Sequence, residues 1–345
     1  MARLTQAIVN LTRLTSLSTR VLADFPFLAT ALVQRPPSYT VPAFSIPASV
    51  AGYFGGGTTG TLQSNIDKIA FIADTKTTLS ATLTAAISKL AGMSNSGIAG
   101  YFGGGETGAG AVNTIDKITF PADTKTTLSA TLTSARNYLA GMANSGTAGY
   151  FGGGLDSVGN VSGIDKITFP ADTKTTLSAT LTSGRYVLAG MANSGTAGYF
   201  GGGFTGSRLN GIDKIAFSAD TKTTLSATLT NAVYAPEGMA NSGTAGYFTG
   251  GQGAGPSFTN FSNIDKITFP ADTKTTLSAT LTSGRFSLAG MANSGTAGYF
   301  GGGNSGTNQS NIDKIAFSAD TKTTLSDTLT SARSELGGMA DSGAL

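Results

Sequence analysis

The residues that most often carry out chemistry are scarce in this chain of 345 residues. It has no His and no Cys. That removes Ser-His-Asp and Cys-His nucleophiles, His or Cys zinc and haem ligation, and disulfides. Carboxylates remain, and two of them flanking a cleft would suit glycoside hydrolysis. The acids outside the repeating pattern are Glu106, Asp156, Glu237, Asp327, Glu335 and Asp341. Their spacing brings no two of them together, so no catalytic residue is assigned and a non-enzymatic protein is expected. An acidic Asp-Thr-Lys turn recurs and offers the oxygen ligands Ca²⁺ prefers. One carboxylate beside a Lys is a poor divalent site, however. Asx-turn capping and salt bridges between neighbouring strands are expected there, with no metal and no cofactor. The recurring Gly-Gly-Gly lacks the Lys-Ser/Thr and helix of a phosphate loop. It reads as a supplier of positive φ and close packing at a strand end.

Charge narrows the partners. The net charge is +3, and residues 1–47 account for it, with Arg3, Arg13, Arg20 and Arg35 against Asp24. The remainder balances 18 basic against 18 acidic residues. A neutral body has no electrostatic footprint for nucleic acid. The 40% apolar content supports a core.

The elements that must position any site come from an internal repeat. Gly-Tyr-Phe recurs with its Tyr at 53, 101, 150, 199, 247 and 299, and Ile-Asp-Lys with its Asp at 67, 116, 165, 213, 265 and 313. One copy reads as four short strands: 138–144, small-residue rich; 147–151, ended by Gly152-Gly153-Gly154; 164–169; and 174–181, with Leu177 and Leu181 on one face. Asn-Ser-Gly, Gly-Gly-Gly and Pro-Ala-Asp-Thr supply the turns. Six such copies predict an all-β, six-bladed β-propeller over residues 48–345. Its small first strands would crowd the axis and its polar fourth strands would face outward. The repeats start on a second strand and end on a first strand. One blade must therefore combine N- and C-terminal strands.

In an up-and-down blade, the second-to-third and fourth-to-first connections share one face. Those two connections vary between copies, whereas the other two hardly change. The variable face collects Phe204, Arg208, Phe258 and Phe261 from the loops, with Tyr138, Tyr186, Tyr234 and Phe286 from the approaches to the first strands. Tyr and Arg among Ser, Gly and Asn suit adaptable recognition. Drift in exposed loops would also vary them, and both readings stay open here.

Residues 1–47 fall outside the repeat. Ile8, Leu11, Leu14, Leu17 and Val21 have helical spacing, followed by an extended segment around Arg35-Pro36-Pro37. Arg13 and Arg20 interrupt the apolar run, against a signal peptide or membrane span. An N-terminal helical and extended arm is expected, serving as an anchor; packing back on its own propeller is the alternative.

Ser134-Ala135-Arg136, Gly149-Tyr150-Phe151-Gly152-Gly153, Phe169, Asp172 and Leu177 together resemble a kelch repeat. In the resemblance Phe169 stands for the family's Tyr and Leu177 for its Trp. The double Gly is present in all six copies. The Arg is present in four, as Arg136, Arg185, Arg285 and Arg333, with Ile87 and Val233 elsewhere. Repeats of this type are similar to those in virion proteins of tailed bacteriophages, including phages of cyanobacteria. That resemblance implies a virion location as a tail-fibre, baseplate or capsid-surface component. Residues 1–47 would contact other virion proteins, the protein would be a homo-oligomer in an assembly, and the disc would meet a host-surface glycan or protein. The alternative is a cytoplasmic or extracellular kelch-type scaffold or lectin-like protein.

Overall fold

The computed structural model describes residues 51–255 and 258–341. The chain divides into two units, Met1–Ile46 and Pro47–Leu345. The first lies outside the described residues, and with it the expected arm and its Ile8, Leu11, Leu14, Leu17 and Val21.

The repeated period-two segments form six four-stranded antiparallel sheets, the blades of an all-β propeller, and no helix occurs among the described residues. Blade I combines Gly337–Ala340 with Ala51–Gly55, Ile66–Ala70 and Thr75–Thr78. Blade II is Ala91–Asn95, Ala99–Gly103, Ile115–Thr119 and Thr124–Thr127. Blade III is Ala140–Asn144, Ala148–Gly152, Ile164–Thr168 and Thr173–Thr176, and blade IV is Ala189–Asn193, Ala197–Gly201, Ile212–Ala216 and Thr221–Thr224. Blade V is Glu237–Asn241, Ala245–Thr249, Asn263–Thr268 and Thr273–Thr280, and blade VI is Ala289–Asn293, Ala297–Gly301, Ile312–Ala316 and Thr321–Thr324. A small hairpin, Glu106–Thr107 with Gly110–Ala111, decorates blade II.

The fourth strands are shorter than the sequence suggests. In blade III the ladder stops at Thr176 instead of running to Leu181. The chain bends there, sending Leu177 and Leu181 into the core between blades III and IV beside Tyr150, Phe200 and Phe217. Only blade V continues to Thr280.

The first strands circle the axis, and their glycines set how closely they approach. A Cβ on Gly92 would lie 1.9 Å from the Gly338 carbonyl oxygen. Gly141 meets Gly92 in the same way, then Gly190 meets Gly141, Gly238 meets Gly190, Gly290 meets Gly238 and Gly338 meets Gly290, at 2.0–2.4 Å. The circuit closes after six steps, so the ring is complete and no side chain fits at those positions. The mixed blade seals it, with Gly52 opposite Ala340 and Tyr53 opposite Met339. Asp327, where other copies have Ala, accepts the Lys76 N–H at 2.7 Å and adds a bond across this seam.

Candidate functional site

Two repeated polar motifs join the blades, and both consume residues that could otherwise act chemically. In the first, the Asp of Ile-Asp-Lys is buried. Asp313 accepts from Thr282 N at 2.9 Å, Thr282 Oγ1 at 2.6 Å, Thr324 Oγ1 at 2.8 Å and Arg285 Nη2 at 3.0 Å. Arg136, Arg185 and Arg333 reach Asp165, Asp213 and Asp67 in the same way. Burial pushes the Asp165, Asp213 and Asp313 carboxyls upward. The Thr donors and the Arg outweigh it and hold them below the usual carboxylate range. Asp116 and Asp265 manage without an Arg. In blade V the hydroxyl of Thr249 instead bonds the Asn263 carbonyl oxygen at 2.8 Å.

The second motif answers what the acidic Asp-Thr-Lys turn does. Asp172, with φ of 54°, accepts from Tyr101 Oη at 2.8 Å and Lys117 Nζ at 2.6 Å, both on the preceding blade. The same triad joins every pair of blades, ending with Tyr299 and Lys314 on Asp74. Each Tyr also stacks on the next blade's Phe, as Tyr101 does on Phe169 at 5.1 Å. The expected salt bridges between neighbouring strands form as well, as Lys174 lies 3.7 Å from Asp165 within blade III, while the turn Asp itself pairs between blades. The triple glycine plays its expected part, with φ of 68° and 106° at Gly153 and Gly154.

Both variable segments lie on one face. The approach to each first strand bridges the loop after the second strand: Asn137 with Leu155, Tyr186 with Phe204, Tyr234 with Gln252, and Phe286 with Asn304. On the opposite face the two constant turns meet, as Phe169 N donates to Thr147 O. On that face of the mixed blade, Asp341 N donates to Ala51 O.

On the variable face the structure gathers five of the eight recognition candidates. Tyr186 lies 5.9 Å from Tyr138, 5.6 Å from Phe204 and 6.2 Å from Tyr234; Tyr234 lies 5.9 Å from Phe204 and 6.3 Å from Phe286. All five rings are half-buried. Arg208 donates to Gln252 O at 2.8 Å and Gln252 Oε1 at 3.1 Å, and its guanidinium lies 5.2 Å from the Phe258 ring. Phe258 stands exposed. Phe261 departs from the recognition reading: its half-buried ring packs on the core of blades IV and V and over Gly253.

Sequence reasoning missed the rim of the axial channel on this face. Six residues at equivalent positions, Lys89, Tyr138, Val187, Ala235, Ser287 and Glu335, all have positive φ, 49–61°. Each N–H donates to the preceding member's carbonyl oxygen, at 2.8–3.1 Å, and Lys89 closes the circuit on Glu335. Above this ring Lys89 binds Glu106 at 2.6 Å. Tyr138 donates to Glu335 Oε1 at 2.7 Å and meets the Tyr234 hydroxyl. Burial, then Glu335 and Tyr234, push the Tyr138 phenol far above its ordinary value.

Below the ring sits Glu237, whose equivalents are Ala91, Ala140, Ala189, Ala289 and Gly337. Burial pushes its carboxyl up to about 8, against the opposing hydrogen bonds from the Gly290 and Gly238 N–H groups. Glu237 and Glu335 line one cavity of about 60 Å³, so two acids far apart in sequence do meet at one opening. The signal available beforehand was Glu237 alone breaking a run of small residues.

Among the described residues no group of three or more acidic side chains could hold a metal, and no helix is long and apolar enough to cross a membrane. Comparison with known proteins brings no family model and no curated protein that matches the chain.

Proposed function

We propose that the protein is a non-catalytic recognition module, built as a kelch-like propeller and displayed on a virus particle of the tailed-bacteriophage kind. Residues 1–47 would attach it to other virion proteins, in multiple copies. The variable face would meet a host-surface glycan or protein. The observation that carries the reading is the clustering of Tyr138, Tyr186, Phe204, Tyr234 and Phe286 on the one face where the blades differ. The five rings come from blades III to VI, while the Tyr-Lys-Asp triad that holds the blades together repeats at all six joints. Drift alone gives no reason for large half-buried aromatics to converge on one side of an otherwise uniform ring. Aromatic faces with hydroxyl rims suit both sugars and protein surfaces. The particle setting rests on the sequence resemblance of the repeats.

A glycan array and an envelope-fraction pull-down, each run with full-length protein and with Tyr186→Ala/Phe204→Ser, test the binding reading. Saturable binding that the double substitution removes supports it. Binding that survives the substitution overturns it. Mass spectrometry of purified virions tests the setting: the chain should be present in fixed stoichiometry. A monomeric, free protein that binds sugar unaided would instead make it a lectin-like cellular or secreted protein.

A further inference from the structure

Arg208 carries more than its place in the fold requires. It forms a β-bridge with Phe204 at the base of the blade IV loop, a position held by Leu62, Asn160, Asn260 and Asn308 in other copies. Asn308 Nδ2 donates to the Thr58 carbonyl oxygen of the next blade at 2.9 Å, and Arg208 Nε makes the equivalent bond to the Gln252 carbonyl oxygen at 2.8 Å. An Asn therefore suffices for this joint. The Arg adds a guanidinium whose Nε–Nη2 edge is held by Gln252, with the Phe258 ring 5.2 Å away. Its outer edge, Nη1 with the second Nη2 hydrogen, has no partner among the described residues. Unlike Arg136, Arg185, Arg285 and Arg333, which are buried, Arg208 is half-buried.

That outer edge is the charge left over on the variable face. Among the described residues only Lys76, on an outer strand, and Arg208 have no ion pair, and Glu106 neutralises the nearby Lys89 at 2.6 Å. A single unneutralised cation suits one carboxylate, whereas a polyanion draws on many cations. Two parallel N–H groups match the two oxygens of a carboxylate.

What carries the carboxylate follows from what lies beside it. Arg208 and Phe204 oppose each other across their bridge, with Cβ atoms about 4.5–5.5 Å apart. Phe204 packs edge-on against Tyr186 and Tyr234. Burial pushes the Tyr234 phenol up, and Arg208 is near enough to oppose that rise. A hexuronate joins these features. Its C–H face can lie on an aromatic ring, and its hydroxyls can meet those of the two tyrosines. Its carboxylate, one bond off the ring edge, extends sideways to the guanidinium.

We propose that Arg208, Phe204, Tyr186 and Tyr234 form a binding site for a hexuronate, with the sugar carboxylate on the outer edge of the Arg208 guanidinium. The proposal rests on the reading of this face as a recognition surface, and it names the class of sugar.

The test titrates isotopically labelled full-length protein with the methyl glycosides of glucuronic and galacturonic acid, and with their methyl esters, which keep the ring and remove the charge. Amide shifts are followed at Phe204, Tyr234 and Gln252. Saturable shifts with at least one acid, with affinity roughly tenfold or more weaker for its ester, are expected. Arg208→Asn restores the residue of three other copies and so is expected to fold; it should bind acid and ester equally. The proposal is overturned if neither acid saturates, if the unaltered protein binds acid and ester equally, or if Arg208→Asn keeps the preference. Saturation by N-acetyl-aspartate methylamide but by neither uronide assigns the edge to a protein carboxylate and also overturns it. The broader reading fails separately. Glycan-array binding that Tyr186→Ala/Phe204→Ser removes and Arg208→Asn leaves intact keeps the recognition surface and overturns the hexuronate. Uronide binding without binding to an envelope fraction keeps the hexuronate site and removes the host-surface reading.

Discussion

Arg333 and Asp67 hold the seam between the last and first blades, and the two sides of this buried pair should be unequal. Asp67 accepts from Thr330 N at 2.9 Å, Thr330 Oγ1 at 2.6 Å, Thr78 Oγ1 at 2.8 Å and Arg333 Nη2 at 3.1 Å. Arg333 is equally buried, but its Nε and Nη1 have no hydrogen-bond partner. Arg333→Ile copies the residue at position 87, where Asp116 works without an Arg. It removes the charge-assisted bond to Asp67, worth ~1.5–3 kcal/mol, and a second bond to the Phe54 carbonyl oxygen at 3.1 Å, and also removes the cost of burying a guanidinium. Asp67 keeps three donors. The net loss should be about 1–2 kcal/mol. Asp67→Ala leaves the buried guanidinium without its counter-ion and takes the shared acceptor from Thr330 and Thr78, a loss of about 3–5 kcal/mol. Urea unfolding midpoints at equal slope measure both. Equal losses, or a larger one for Arg333→Ile, would refute the reasoning that the carboxylate rather than the Arg organises the joint.

Other outcomes follow from the same geometry. Gly141→Ala puts a Cβ 2.0 Å from the Gly92 carbonyl oxygen and should break the axial ring. Its loss of folded yield or melting temperature should far exceed that of Gly108→Ala, at an open loop position. The Glu237 carboxyl is raised to about 8 from an ordinary 4.5, so the folded state holds its proton more tightly. Its contribution is intact below the unfolded pKa and is lost as pH rises through 8. Glu237→Ala should therefore raise the melting temperature, by more at pH 9 than at pH 5. The lowered carboxyls of Asp165, Asp213 and Asp313 act in the opposite sense. Acid unfolding, followed by circular dichroism, should set in only below their ordinary value of 3.8. Tyr150→Phe removes one inter-blade bond to Asp220, 2.9 Å long, and should cost about 1 kcal/mol by denaturant titration.

The blade count, strand order, mixed blade and division of loops between faces were legible because they follow from local period-two patterning repeated six times. The joints between blades were not. Tyr101, Lys117 and Asp172 meet across 55 to 71 residues, and because every copy carries them, no difference between copies pointed to their partners. Asp165 alternates with Ile167 on one strand face, but its Arg136 comes from the preceding connection, and strand periodicity does not pair the two. Phe261 looked like a loop aromatic, and only the packing over Gly253 turns it inward. The rim ring was hidden for another reason: it is made of backbone N–H and carbonyl groups, so Lys, Tyr, Val, Ala, Ser and Glu serve it equally. Of the eight recognition candidates, alternation of strand direction placed them on one face. Ring-to-ring contact among five could be seen only once the curvature of the disc was known.

If recognition is confined to the variable face, the constant face should be dispensable for binding. The most direct measurement compares binding to a host envelope fraction by Tyr186→Ala/Phe204→Ser and by Ile72→Ser/Ile98→Thr, which alters exposed apolar residues in the constant turns. The first pair should abolish binding with the melting temperature unchanged, and the second should leave binding intact. Loss through the constant-face pair alone would contradict it.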